Sequence, residues 1–357
     1  MSKLSLLRAL LEKHNAEALL LRRVSSFAWA TEGAASYVNT ATSEGAASLV
    51  VTREKAYLAT NNIEAPRLRE EENLAEQGWE FVISPWETPL KGLNDLLAGK
   101  TIVSDVPFGA AKDVSAEMAR LRAHLTPQEG ERLRTLGRLC AEAITAAAQG
   151  IQPGMSEYEI AALLGSEAQK RGVQPIVNLV ATDERRYRHP LPTSKPLERY
   201  ALLVLSGRWL GLVCSVSRMV HFGKIPAELE QKTHAAARVN AAFIAHTRPG
   251  KTLGELLEIG QAAYAEAGFP GEWQHHHQGG VTGYEPREYL ATPGGTDVLV
   301  AGQALAWNPT VQGAKMEDTI LLGAAENQIL TSTPLWPVEW LKTPGLPPVP
   351  CPLILER

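Results

Sequence analysis

Two capped helices joined by a proline and glycine turn constrain this chain more than any other stretch. Thr126 is followed by Pro127 and then by leucines and alanines at helical intervals through Ala148 (TPQEGERLRTLGRLCAEAITAAA). A threonine cap with proline just inside it opens a helix well, because proline lacks an N–H that the first turn could not satisfy anyway. IQPG (Ile151 to Gly154) ends that helix. Ser156, with Glu159 three residues on, then has the capping-box pattern that starts a second helix running to Gly172. Composition shifts near Leu125, so the long helix is expected to open a second domain, giving domains 1–125 and 126–357 in a chain of 357 residues. Cys140 falls on the apolar face of this helix, which points to core packing.

The first domain reads as mixed helix and strand. Leu4, Leu7, Leu10 and Leu11 share a helical face, and residues 16–21, 46–52, 55–59, 79–84 and 102–106 read as strands. Phe27 to Asn39 mixes aromatics with glycine and is expected to be irregular, a wall of a cleft; Trp29, Tyr37, Trp79 and Trp86 are expected to pack. Residues 64–72 and 111–121 are expected helices. In the second domain, strands are expected at 174–181, 200–205 and 209–216, the last two as a hairpin turning at Ser206-Gly207. Helices follow at 228–246 and 253–267. The C-terminal stretch, with five prolines between Pro344 and Pro352, is expected to be extended and packed on the surface or on a partner.

With 35 basic against 39 acidic residues and a net charge of -4, no broad field attracts nucleic acid or anionic lipid. Three scattered cysteines form neither a disulfide framework nor a CxxC metal motif. Charges interrupt the apolar N-terminal stretch, and no apolar run reaches membrane-spanning length, so the expectation is a cytoplasmic protein.

The chemistry is concentrated between His275 and Glu317. HHHQGGVTGYEPRE (His275 to Glu288) places three histidines beside two glycines and then Tyr284, Glu285, Arg287 and Glu288; AWNP and KMEDTILL follow. Glycines beside histidines suit a chain that turns tightly next to a pocket.

Five motifs in order carry a family resemblance: the segment Trp29 to Gly33, IQPG with SEYEI, ALLVLSGRWLGLVCSVSRMVHFG, AWNP, and KMEDTILLGAAENQILT. Together they resemble the M24 peptidase superfamily of creatinase, aminopeptidase P and Xaa-Pro dipeptidase. The resemblance implies an α/β fold: a creatinase-like N-terminal domain followed by a pita-bread C-terminal domain. It also implies two divalent metals held by two aspartates, one histidine and two glutamates. Here the first aspartate falls on Val204, the second on Ser215 and the first glutamate on Asn308. Only Glu317 is kept, and His277 stands at the histidine position. One carboxylate and one imidazole cannot neutralise two adjacent divalent ions, so no dinuclear cofactor is expected. A single divalent metal held by some of His275, His276, His277, Glu285, Glu288 and Glu317 is the alternative, although adjacent residues on an extended chain alternate faces.

The resemblance to creatinase implies a metal-free role for His189 as proton relay and for Glu317 as the clamp on a guanidinium or ammonium group, with His277 as a further catalytic group. His276, Tyr284, Arg287, Arg218 and Asn308 are expected to line the substrate, with Tyr284 as oxyanion donor and Arg287 as carboxylate clamp; Arg218 has an internal ion pair as its equal alternative. Three functions stay open: a hydrolase of a C–N bond in a small peptide, amide or amidine without a dinuclear centre, a non-catalytic binding module, and an Xaa-Pro peptidase with an atypical metal site. A homodimer and a small-molecule or short-peptide substrate are the expected partners.

Overall fold

The computed structural model describes residues 2–333 and 335–357; Pro334, within the proline-bearing C-terminal stretch, lies outside them. The chain divides into two compact units, Met1–Arg122 and Ala123–Arg357.

The first unit contains α1 (Lys3–His14), β1 (Ala18–Arg23), α2 (Val24–Ala30), β2 (Glu44–Val51), β3 (Ala56–Asn61) and α3 (Ala65–Glu70). It continues with β4 (Glu80–Ser84), α4 (Lys91–Leu97), β5 (Ile102–Ser104), β6 (Lys112–Asp113) and α5 (Ser115–Arg122). Its six strands form one sheet in the order β4-β3-β2-β1-β5-β6. Part of the stretch expected to be irregular is helical: Phe27, Ala28 and Trp29 are buried in α2, so apolar burial outweighs the lack of a side-chain cap. Trp29 and Trp79 pack inside, whereas Trp86 is exposed.

The second unit begins with α6 (Pro127–Gly150) and α7 (Glu157–Gln169), each opened by the capping box expected at Thr126 and Ser156. Next come β7 (Gln174–Thr182), β8 (Tyr200–Trp209), β9 (Leu212–His221), α8 (Ala227–His246), α9 (Leu253–Glu266) and a 3-10 turn over Glu272–His275. The remainder is strand: β10 (Gly279–Thr282), β11 (Tyr289–Leu290), β12 (Ala304–Trp307), β13 (Thr310–Val311), β14 (Ala314–Lys315) and β15 (Asp318–Leu321). Last are β16 (Gln328–Ile329), β17 (Val338–Leu341), β18 (Val349–Pro352) and β19 (Leu355–Glu356). Two sheets carry the unit, β19-β9-β8-β7 and β11-β10-β12-β15-β16. A bridge between Ser217 and Glu317 joins them.

The hairpin turns later than the sequence suggested. Leu210 and Gly211, with φ of 46° and 76°, make the reversal, while Ser206 and Gly207 stay in β8. Gly207 is a packing glycine: a Cβ there would lie 2.4 Å from Val173 Cγ1 and 2.6 Å from Cys140 Sγ. The resulting register pairs Val204 with Ser217 and Ser206 with Ser215, so these four side chains share one face. The C-terminal prolines lie in and around the β17–β18 hairpin, where Cys351 is buried and accepts from Asn240 of α8 at 3.6 Å.

Candidate active site

Glu317 lies between β14 and β15 at the seam of the two sheets. Its Oε2 accepts from Ser217 Oγ at 2.6 Å and lies 3.2 Å from Lys315 Nζ. Its Oε1 accepts from Arg287 Nη2 at 3.2 Å. Lys315 stands two residues before Glu317 on an extended chain, which puts both side chains on one side. Both are buried. Burial alone would raise the Glu317 carboxyl, but Lys315 and Arg287, with the Ser217 hydroxyl, outweigh it and hold the group down at about 2. Glu317 is therefore an ionised carboxylate already neutralised by two cations.

Three imidazoles stand within electrostatic reach of this group. His276 is buried, and its Nε2 shares a 3.1 Å hydrogen bond with Nε2 of His189. The His276 ring stacks on His277 with centroids 4.5 Å apart. Burial, and next Lys315, pull His276 down to about 2; burial, and next Arg287, pull His277 to about 4. His189 is lowered too, by burial and then Lys315. Near neutral pH all three rings are uncharged.

The chain fixes these rings by local chemistry. Glu157, buried at the start of α7, accepts from the N and Oγ1 of Thr182 (2.9 and 3.0 Å) and of Thr193 (2.9 and 2.7 Å), and pairs with Arg185. The Asp183 carboxylate accepts from the backbone N–H groups of Glu198, Arg199 and Tyr200. These two carboxylates pin both ends of the loop that carries His189. Arg188 pairs with Glu272, tying that loop to the 3-10 turn just before His276. Gln278 Nε2 donates to the His276 carbonyl at 2.6 Å, and Tyr264 Oη donates to Gln278 Oε1 at 2.8 Å. Gly279 and Gly280 follow because neighbouring strands come too close for side chains: a Cβ would meet Ala306 O at 2.1 Å and Tyr289 O at 2.3 Å.

Several expected site residues are placed otherwise. Tyr284 Oη donates to buried Glu129 Oε1 at 2.6 Å, so its hydroxyl proton is committed to α6 and is not an oxyanion donor. Arg218 takes the structural alternative: its Nη2 donates to Asp318 Oδ1 at 2.9 Å and to Thr331 O at 2.7 Å. Glu317 does not match a guanidinium clamp, since cations already hold both its oxygens. Arg287 does lie in the group, with a buried Nε that has no hydrogen-bond partner. Asn308 is buried with Oδ1 likewise unpartnered, and its N–H donates to Gln278 O at 3.0 Å. His275 is exposed, and Glu288 Oε1 accepts from the Tyr284 N–H at 3.0 Å. His276 and His277 both reach the cluster although adjacent, because the chain leaves a 3-10 turn there and is not regularly extended. Lys315 and Ser217 were not singled out from the sequence. Their signal was spacing: each sits two residues from a position already identified, Glu317 or Ser215.

The dinuclear centre implied by the family resemblance does not fit these residues. Val204 offers no ligand atom, and Ser215 Oγ shares a 2.9 Å hydrogen bond with Ser206 Oγ. Lys315 and Arg287 pair with the Glu317 carboxylate, so two positive charges already occupy the oxygens that a metal ion would need.

Two sheets flanked by the capped helix pair, in this order and after a separate mixed unit, make a pita-bread α/β fold. The chain belongs to Metallopeptidase family M24, whose sequence pattern matches residues 131–324, more than half of it. An uncharacterized peptidase of Staphylococcus saprophyticus is 23% identical over 230 residues, 61% of this chain and 65% of that one. A Xaa-Pro dipeptidase of Lactobacillus helveticus is 26% identical over 219 residues, 58% of this chain and 59% of that one. The chain thus spans less than two thirds of either relative's length in these matches. The crystal structure of the prolidase from Pyrococcus horikoshii superposes with a TM-score of 0.80 at 19% identity, covering 93% of this chain and 98% of the other. Among the described residues no helix is long and apolar enough to cross a membrane.

Proposed function

We propose that this chain hydrolyses a C–N bond in a small peptide or amide without a dinuclear metal centre. The observation that carries the proposal is Glu317 held by Lys315, Arg287 and Ser217 beside three neutral histidines. In that arrangement His276 holds His189, the most exposed of the three, through its Nε2, and the other ring nitrogen, Nδ1, accepts a proton from the attacking water and returns it to the leaving nitrogen as the C–N bond breaks, with His277 beside the pair. Lys315 and Arg287 stabilise negative charge on the carbonyl oxygen as the tetrahedral intermediate forms. Their two charges against one carboxylate favour a neutral or anionic substrate over an amidinium, which narrows the range that the sequence leaves open. The names of the relatives make Xaa-Pro dipeptides the first compounds to try.

The test is chelator-treated protein incubated with dipeptides, amides and amidines and read by mass spectrometry. Turnover that survives the chelator and falls at least 100-fold in His189→Ala is the expected result. Turnover that needs added metal, or that is unchanged in His189→Ala, refutes the proposal. The absence of carboxylates at Val204 and Ser215 also supports a second reading, a binding module; ligands retained without turnover across the same panel would establish it.

A further inference from the structure

The three histidines have a geometry that neither the family's metal ligands nor the proposed proton transfer requires. Two come from the segment after the 3-10 turn and one from a loop nearly ninety positions earlier in the chain, and the Arg188–Glu272 pair, Glu157 and Gln278 hold those segments together. Among the described residues, His189, His276 and His277 offer ligand atoms that all lie within 4.8 Å of one another. The 3.1 Å separation of the His189 and His276 Nε2 atoms is close to the edge of a tetrahedron, about 3.3 Å for metal–nitrogen bonds of about 2.0–2.1 Å. The third imidazole needs a movement of roughly 1.5 Å, within the reach of side-chain rotation. The buried Nδ1 atoms of His276 and His277 have no hydrogen-bond partner, so neither ring nitrogen is committed elsewhere.

We infer that His189, His276 and His277 form a mononuclear site for a borderline transition-metal ion such as Zn(II), Co(II) or Ni(II), with one coordination position open. Nitrogen donors alone select these ions over Mg(II), Ca(II) and Mn(II), which favour oxygen. Lys315 and Arg287 nearby bias the open position toward an anion. The site shares its histidines with the proposed reaction, and that sharing has a consequence resting on the proposed function: a metal holding Nε2 of His189 leaves that ring's one proton on Nδ1, so the nitrogen that would accept the water's proton has no lone pair free. Metal would then inhibit, the reverse of its role in a metallopeptidase.

The binding claim is tested without any activity measurement. Full-length protein free of any polyhistidine tag is stripped with chelator and titrated with Zn(II) by calorimetry, and with Co(II) by visible absorption. One equivalent per chain is expected, with micromolar or tighter affinity, weakened at least tenfold in His276→Gln and in His189→Gln, and with Co(II) bands of a four- or five-coordinate nitrogen site. No binding at 100 μM, two equivalents per chain, a preference for Mn(II), or affinity unchanged in the histidine variants each overturns it. Should His276→Gln fail to fold by circular dichroism, the exposed His189→Gln and the wild-type Co(II) spectrum decide. If Zn(II) binds but no substrate is ever turned over, the metal site stands and the hydrolase reading falls; if turnover occurs with no Zn(II) binding, the reverse holds.

Discussion

Replacing Lys315 with methionine should expose how far a side-chain ammonium has taken over the work of a cation at Glu317. The Nζ–Oε2 separation is 3.2 Å with both groups buried. Two unit charges at that distance attract by about 5 kcal/mol at an effective dielectric of 20. Removing one partner of a buried pair costs about 3–5 kcal/mol because the other charge stays desolvated. Arg287 still holds Oε1, so the cost of Lys315→Met is expected below that range, about 2–3 kcal/mol. Glu317→Gln should cost a similar amount by stranding Lys315. The double variant should cost less than the sum of the two by about 2 kcal/mol, which urea unfolding at pH 7 would measure as a double-mutant cycle. The acid limb gives an independent reading. Glu317 titrates near 2 in the folded chain, below the unfolded value of about 4.3. Its contribution is therefore present above the unfolded value and lost as pH falls toward 2, on the order of 3 kcal/mol. Lys315→Met should shrink that loss. Additive single variants, within about 0.5 kcal/mol, together with an unchanged acid limb, would refute the charge-substitution argument.

Further predictions follow from neighbouring geometry. His276 is neutral when folded and titrates near 2, so in chelator-treated protein its stabilisation, complete above the unfolded value of about 6.5, should fall by about 2 kcal/mol between pH 6.5 and pH 5. Urea unfolding should show that decline reduced in His276→Gln, and an equal slope in both proteins would contradict it. Gly207→Ala should destabilise by about 1–3 kcal/mol, since the added methyl meets Val173 and Cys140; a thermal melt within a degree of the parent would remove the packing account of that glycine. Glu157→Gln should loosen the loop from Asp183 to Lys195, read as faster proteolysis or amide exchange there before global unfolding. Tyr284→Phe should lower stability by about 1–2 kcal/mol and leave turnover of any substrate found unchanged, as suits a group bonded to Glu129.

Where neighbouring residues settle the outcome, the sequence was readable. The capping boxes at Thr126 and Ser156 form as their residues require, because a cap and its partner lie within one turn. The order of motifs carried the fold and the family, and the absence of carboxylates at Val204 and Ser215 needed no coordinates. The turn at Leu210-Gly211 was misplaced because Ser206-Gly207 looks like a turn locally. Only the approach of α6 shows that Gly207 is there to admit Cys140 and Val173.

The partner of each polar side chain was decided in three dimensions. Tyr284, Arg218 and Arg287 are alike in a linear reading, each a polar group near a matching motif. Their partners are Glu129, Asp318 and Glu317, between 30 and 155 positions away, and those distant partners separate two structural ties from one member of the site. Likewise the sequence alone places Val204, Ser215 and Asn308 where the family resemblance expects carboxylates. That Lys315 and Arg287 stand on the surviving carboxylate, and that His189 meets His276 rather than His275, depends on how sheets and loops pack, because hydrogen bonds and charge pairs act through space and not along the chain.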